Sequence, residues 1–130
     1  MEKEFVIHNF WASFGIPAYE EFTTPSEEEF ERLGIEPYPR ITYDVVDAGT
    51  WGREVAISAI IHSRSSSWLE ALNIKKEISN KLKDGGLQFE CDGGTIWIKK
   101  ALPFAQRMGT SDDDTLRQYL INISVVDHTN

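Results

Sequence analysis

An α+β fold, an antiparallel sheet of four to five strands with two helices packed on one side, is what this sequence predicts. Three observations lead there. Apolar residues recur at helical spacing in two segments, they alternate with period two in four or five others, and Gly- or Asp-bearing turns separate the alternating runs. With 130 residues, 41% hydrophobic and 26% charged, the chain has the size and balance of one globular domain over 1–130.

The first helix is carried by Phe5, Val6, Asn9, Phe10 and Phe14, with Ile7 and Trp11 widening the stripe, until Gly15-Ile16-Pro17 ends the pattern. Residues 22–39 follow as a long acidic arm, in which Pro25, Pro37 and Pro39 bracket one short helical turn from Ser26 to Gly34. A connection of that length in a small domain points to a functional arm. From Arg40 the period changes to two. Ile41, Tyr43 and Val45 share one strand face, Val55, Ile57, Ala59 and Ile61 share the next, and 47–52 turns between them. Ser67-Trp68-Leu69-Glu70 reads as a capping box, Ser67 accepting from the Glu70 N–H while Glu70 reaches back. The helix it opens bears Ala71, Leu72, Ile74, Ile78 and Leu82 and stops at Gly85-Gly86. Its Leu72, Ile78 and Leu82 are expected against Val55, Ile57 and Ile61. Leu87–Cys91, the turn Asp92-Gly93-Gly94 and Thr95–Lys99 form a second hairpin. Alternation at Tyr119, Ile121, Ile123 and Val125 makes the closing strand, and 127–130 reads as a frayed tail.

Thirteen basic residues stand against 21 acidic ones, a formal net charge of −8. Tight non-specific binding to nucleic acid through such a surface is disfavoured, because phosphate neutralisation needs clustered Lys and Arg. The excess is localised. Between residues 20 and 36 seven glutamates face Arg32 alone, led by Glu27, Glu28, Glu29 and Glu31 of the acidic arm. That run reads as a solvated helix face or as a docking patch for a basic partner. Cys91 stands alone, so neither a disulfide framework nor a four-thiolate zinc site is expected, and a reducing cytoplasm is the default. No apolar run approaches the roughly 20 residues of a membrane span, and the first residues lack a signal-peptide pattern, so neither embedding nor classical secretion is expected.

No constellation points to catalysis. Asp112-Asp113-Asp114 could hold a divalent cation for phosphoryl chemistry, but consecutive side chains rarely converge, and Gly109-Thr110-Ser111 beside them reads as a turn. A metal-dependent hydrolase built on Asp112–Asp114 is the alternative to a non-enzymatic chain. His8, His62 and His128 form no His-x-x-x-His pair, and no nucleophile signature surrounds Cys91. No catalytic, metal or cofactor residue is assigned, and no cofactor is expected.

Pro103-Phe104-Ala105-Gln106-Arg107-Met108-Gly109 fits no such simple account. It reads as a connection between two strands, yet Phe104, Arg107 and Met108 are types enriched at protein interfaces. Either a partner covers them, or Phe104 and Met108 fold back over their own sheet.

The run from Cys91-Asp92-Gly93-Gly94-Thr95-Ile96-Trp97-Ile98-Lys99, through Pro103-Phe104-Ala105-Gln106-Arg107-Met108 and Asp113-Asp114, to Leu120-Ile121-Asn122-Ile123-Ser124-Val125 resembles the tail-terminator, or tail-completion, proteins of the neck of long-tailed phages and prophages. Phe10-Trp11-Ala12-Ser13-Phe14-Gly15-Ile16-Pro17-Ala18-Tyr19 and Ser67-Trp68 extend the resemblance over almost the whole chain. It implies a curved sheet with two helices and a ring, a hexamer, that caps the tail tube and joins tail to head. The partners implied are further copies of the chain, the tail tube protein and the head-completion protein, with DNA passing through unbound. The location implied is the virion neck, reached from the host cytoplasm. Phe104, Gln106, Arg107, Met108, Trp11 and Phe14 are then expected at contacts between subunits or with a partner. Another neck or head-completion adaptor is the alternative within the same class.

Overall fold

In the computed structural model, which describes residues 1–21, 24–45, 52–109 and 115–129, the chain runs α1 (Lys3–Ala12), β1 (Ala18–Glu20), α2 (Glu27–Leu33), β2 (Arg40–Tyr43), β3 (Glu54–Arg64), α3 (Leu69–Leu82), β4 (Leu87–Cys91), β5 (Gly94–Met108) and β6 (Leu116–Thr129). The strands form one sheet in the order β1-β2-β3-β6-β5-β4. The α+β class and the antiparallel pairing of both hairpins stand as expected, while residues 47–51 of the first expected turn lie outside the described residues. The sheet is mixed rather than antiparallel, because β1 runs parallel to β2, and it has six strands and three helices rather than four to five and two.

The third helix is the acidic turn of the arm, and its caps explain it. Ser26 Oγ accepts from the Glu29 N–H at 3.2 Å, and Gly34 closes the helix in the left-handed region at φ 67°. The serine cap therefore lies at Ser26, whose hydroxyl also donates to Glu29 Oε1 at 3.3 Å, and no capping box forms at Ser67-x-x-Glu70. At α3 the Ser67 hydroxyl accepts from Leu69 N–H instead, and Glu70 accepts from the fully buried Ser63 hydroxyl at 2.5 Å. A buried hydroxyl needs an acceptor more than an exposed helix end does.

The core lies between the sheet and two helices. Ile41, Ile57, Ile61, Ile98, Ile121 and Ile123 point towards Ala71, Ile74, Ile78 and Leu82 of α3 and Val6, Ile7, Phe10 and Trp11 of α1. Ile78 and Leu82 sit as expected, but Leu72 and Val55 are only half-buried, and Ile74 takes the place expected of Leu72. Residues 127–129 are not frayed: His128 and Thr129 pair with Thr95 and Gly94, and buried Asp127 accepts from Lys3 Nζ at 2.8 Å.

Candidate functional site

The segment Pro103–Met108 is strand, not loop, and it builds the most distinctive surface of the described chain. Pairing along β5 runs from Gly94↔Thr129 to Lys100↔Ile123 and resumes at Ala105↔Ile121, so residues 101–104 stand opposite Asn122 alone. This bulge inserts three extra residues and reverses which residues face the helices: Ile96 and Ile98 before it, Ala105 and Arg107 after it. Asn122 Nδ2 pins the bulge by donating to the Pro103 carbonyl at 3.0 Å. Leu102, at its crest, is 95% exposed, whereas Phe104 packs on the core beneath the Lys100 ammonium, 5.2 Å from its ring centre. The exposed apolar side chain here is thus Leu102, which precedes the segment singled out from sequence, and not Phe104.

Beyond the bulge no described strand pairs with the outer edge of β5, because β4 pairs only with Gly94–Ile98. Gln106 and Arg107 are exposed there and Met108 is half-buried. Arg107 lies 4.5 Å from the Trp68 ring centre, and its Nε donates to Tyr119 Oη at 3.2 Å. Arg117 also approaches Trp68, at 5.5 Å from its ring centre, and donates to the carbonyls of Ser65 and Ser66. Lys75 sits 5.8 Å from the Tyr119 ring centre, and Trp68 meets Tyr119 edge-on at 5.3 Å. Three cations are thus held on two aromatic rings, each such contact contributing about 0.5–1 kcal/mol at exposed sites. None of the three pairs with a carboxylate among the described residues. Arg40 and Arg64 flank Tyr38 at 4.8 and 4.9 Å at the same end of the sheet.

The other flank of the sheet is acidic. Phe30 anchors α2 by meeting Tyr19 of β1 edge-on at 5.8 Å, with the Arg40 guanidinium 5.5 Å from its ring centre. Glu27, Glu28, Glu29 and Glu31 are exposed and form no ion pair with a described cation. Between α1 and strands β1 and β2 lies an open cavity of about 370 Å³, lined by Phe5, His8, Ala18, Tyr43 and Val45, with Glu4 and Glu20 also on it. His8 Nδ1 and Tyr43 Oη lie 2.7 Å apart inside it.

Trp11 cannot serve at a contact. It is wholly buried, stacked on Tyr43 at 6.4 Å, so the helical stripe that singled it out marks core. Phe14 is half-buried under the Lys81 ammonium at 5.2 Å. Asp112–Asp114 lie outside the described residues. Among the described residues no three His, Cys, Asp or Glu side chains converge as metal ligands. Burial, then the Asp127 and Asp92 charges, hold the Cys91 thiol above its usual pKa, which works against a thiolate nucleophile.

On the sheet face away from α3, His62 is buried between Thr42 and Gln118. The Gln118 amide donates to Nδ1 at 3.0 Å, which leaves Nε2–H to donate to Thr42 Oγ1 at 2.9 Å, so the neutral ring is fully satisfied. Burial, then the Arg40 charge, push its pKa down to about 4. The unfolded chain binds this proton below about pH 6.5 and the folded chain does not, so stability is full above that pH and falls as pH drops towards 4. Urea midpoints between pH 7 and 4 should show a loss of at most about 3 kcal/mol from this group, and His62→Gln should flatten the slope.

No helix among the described residues is long and apolar enough to cross a membrane. Comparison with protein-family models finds no match, and neither does comparison with curated proteins.

Proposed function

We propose that this chain is a ring-forming structural protein of the neck of a long-tailed phage or prophage, a tail terminator that caps the tail tube and joins tail to head. The observation that supports this reading best is the open outer edge of β5 with Leu102 on its crest. A strand edge left uncovered beside an exposed apolar side chain is a surface that invites pairing, and a soluble chain that keeps one has a use for it. The ring would be a hexamer, its partners the tail tube and head-completion proteins, and its work assembly rather than turnover. An acidic chain lining the passage would let DNA pass without adhering.

The test is assembly of whole particles. Tails made without this chain should join filled heads when purified chain is added. Leu102→Ser should leave the melting temperature within about a degree, since the side chain is exposed, yet abolish joining. Joining at the full rate with this variant, or with no chain added at all, would refute the reading.

A further inference from the structure

We propose that the cavity between α1 and strands β1 and β2 is a binding site for a primary alkylammonium ligand, its ammonium held by Glu4 and Glu20 and its carbon chain lying against Phe5, Ala18 and Val45. The site lies within one chain and stands apart from the neck reading.

Local structure brings these residues together. Glu4, Phe5 and His8 stand at i, i+1 and i+4 on α1 and share one side of it. Opposite them, Ala18 pairs with Ile41 and Glu20 with Tyr43, so Ala18, Glu20 and Tyr43 share the sheet face of buried Ile41, and Val45 follows Tyr43 by two. The cavity they enclose, about 370 Å³, falls within the roughly 300–1,000 Å³ of small-molecule sites.

Its charge has one sign. Two carboxylates line it, and none of its lining residues is Lys or Arg. Residues 22–23 and 46–51, which lie outside the described residues, include no Lys or Arg and only one acid, Asp47. Lys3, beside Glu4 in sequence, is held by Asp127 at 2.8 Å. The negative potential already acts inside the cavity: burial first, and then the Glu20 charge, raise the Tyr43 hydroxyl above its usual pKa. A bound cation is therefore favoured and a bound anion disfavoured. His8 Nδ1 and Tyr43 Oη already bond to each other at 2.7 Å, so the carboxylates are the groups that meet the ligand's donors, and each accepts several hydrogen bonds at once. The walls ask for carbon as well. Phe5 is 60% exposed and Val45 37%, and both line this cavity. A bare cation would leave them wet, and a neutral apolar molecule would bring the carboxylates no donor. A primary alkylammonium covers the one and gives three N–H donors to the other.

Titration of the full chain with butylamine, followed by NMR, tests this, with butanol and butyrate as neutral and anionic probes of similar length. Butylamine should shift the resonances of Phe5, His8 and Val45 and saturate at about the millimolar level that so few ligand atoms allow. Butanol should bind about ten-fold more weakly or worse, and butyrate not at all. Glu4→Gln with Glu20→Gln should weaken butylamine about ten-fold or more, whereas Glu28→Gln with Glu31→Gln, which removes the same charge from α2, should leave it unchanged. Phe5→Ser, at an exposed side chain, should weaken it as well. Nα-acetyl-lysine methylamide separates two sources of the same group. Binding about ten-fold tighter than butylamine assigns the ammonium to a lysine side chain of a peptide, and equal or weaker binding assigns it to a free amine. Equal binding of butylamine and butanol to the wild-type chain overturns the site without recourse to any variant. So does an equal loss in the α2 variant, or no saturation at about a hundred times the expected level.

Discussion

Trp11→Ala should destabilise the chain by about 3–5 kcal/mol, the range of large aromatic truncations in cores. Trp11 is fully buried, stacks on Tyr43 and meets Phe10 edge-on at 4.9 Å, so its removal leaves a cavity that α1 and the sheet close only in part. Its indole Nε1–H is buried with no acceptor among the described residues. An orphaned donor carries its own cost, so Trp11→Phe, which removes that donor, should lose less than its smaller area implies. Chemical denaturation of the two variants reads both effects. A loss under about 1 kcal/mol for Trp11→Ala would mean that the ring is not buried in solution, and would return it to the list of contact residues.

Gly94→Ala should cost about 2–6 kcal/mol through backbone alone. Gly94 opens β5 at φ 153°, where other residues are strained, and an added Cβ would stand 2.0 Å from the His128 carbonyl oxygen. That oxygen cannot yield cheaply, since it is main chain in the paired end of β6. The variant should also speed amide exchange at Thr95 and Thr129 before it affects the centre of the sheet. Native-like midpoints and exchange would show that the pairing there is looser than the register implies.

Much of this fold was legible because its signals are local. Alternation over Ile41–Tyr43, Val55–Ile61 and Tyr119–Val125 and the stripe of α3 each depend on one strand or helix burying one face. What escaped has a physical reason in each case. Ala18–Glu20, which pairs with β2, is too short to show a period. Residues 94–108 look like a strand followed by a connection because the bulge reverses the phase of alternation within one strand. Phe104 drew attention as an interface residue by type, but residue type cannot tell which side of a bulge turns inward, and Leu102 was the one left outside. Trp11 and Phe14 share a helical stripe, and a stripe reports burial without saying whether a core or a partner provides it. The Trp68–Tyr119 cluster had no sequence signal, since its cations come from α3, β5 and β6 and meet only after the sheet forms.

The bulge also divides β5 into parts that are tethered differently. Gly94–Ile98 is held by ladders on both sides, whereas among the described residues Ala105–Met108 is held by β6 alone. Opening the outer half breaks one ladder and exposes little of the isoleucine core, while opening the inner half breaks two. The strand therefore behaves as an anchored stem with a separately releasable tip, and a partner arriving at that tip can reshape it without unfolding the protein beneath.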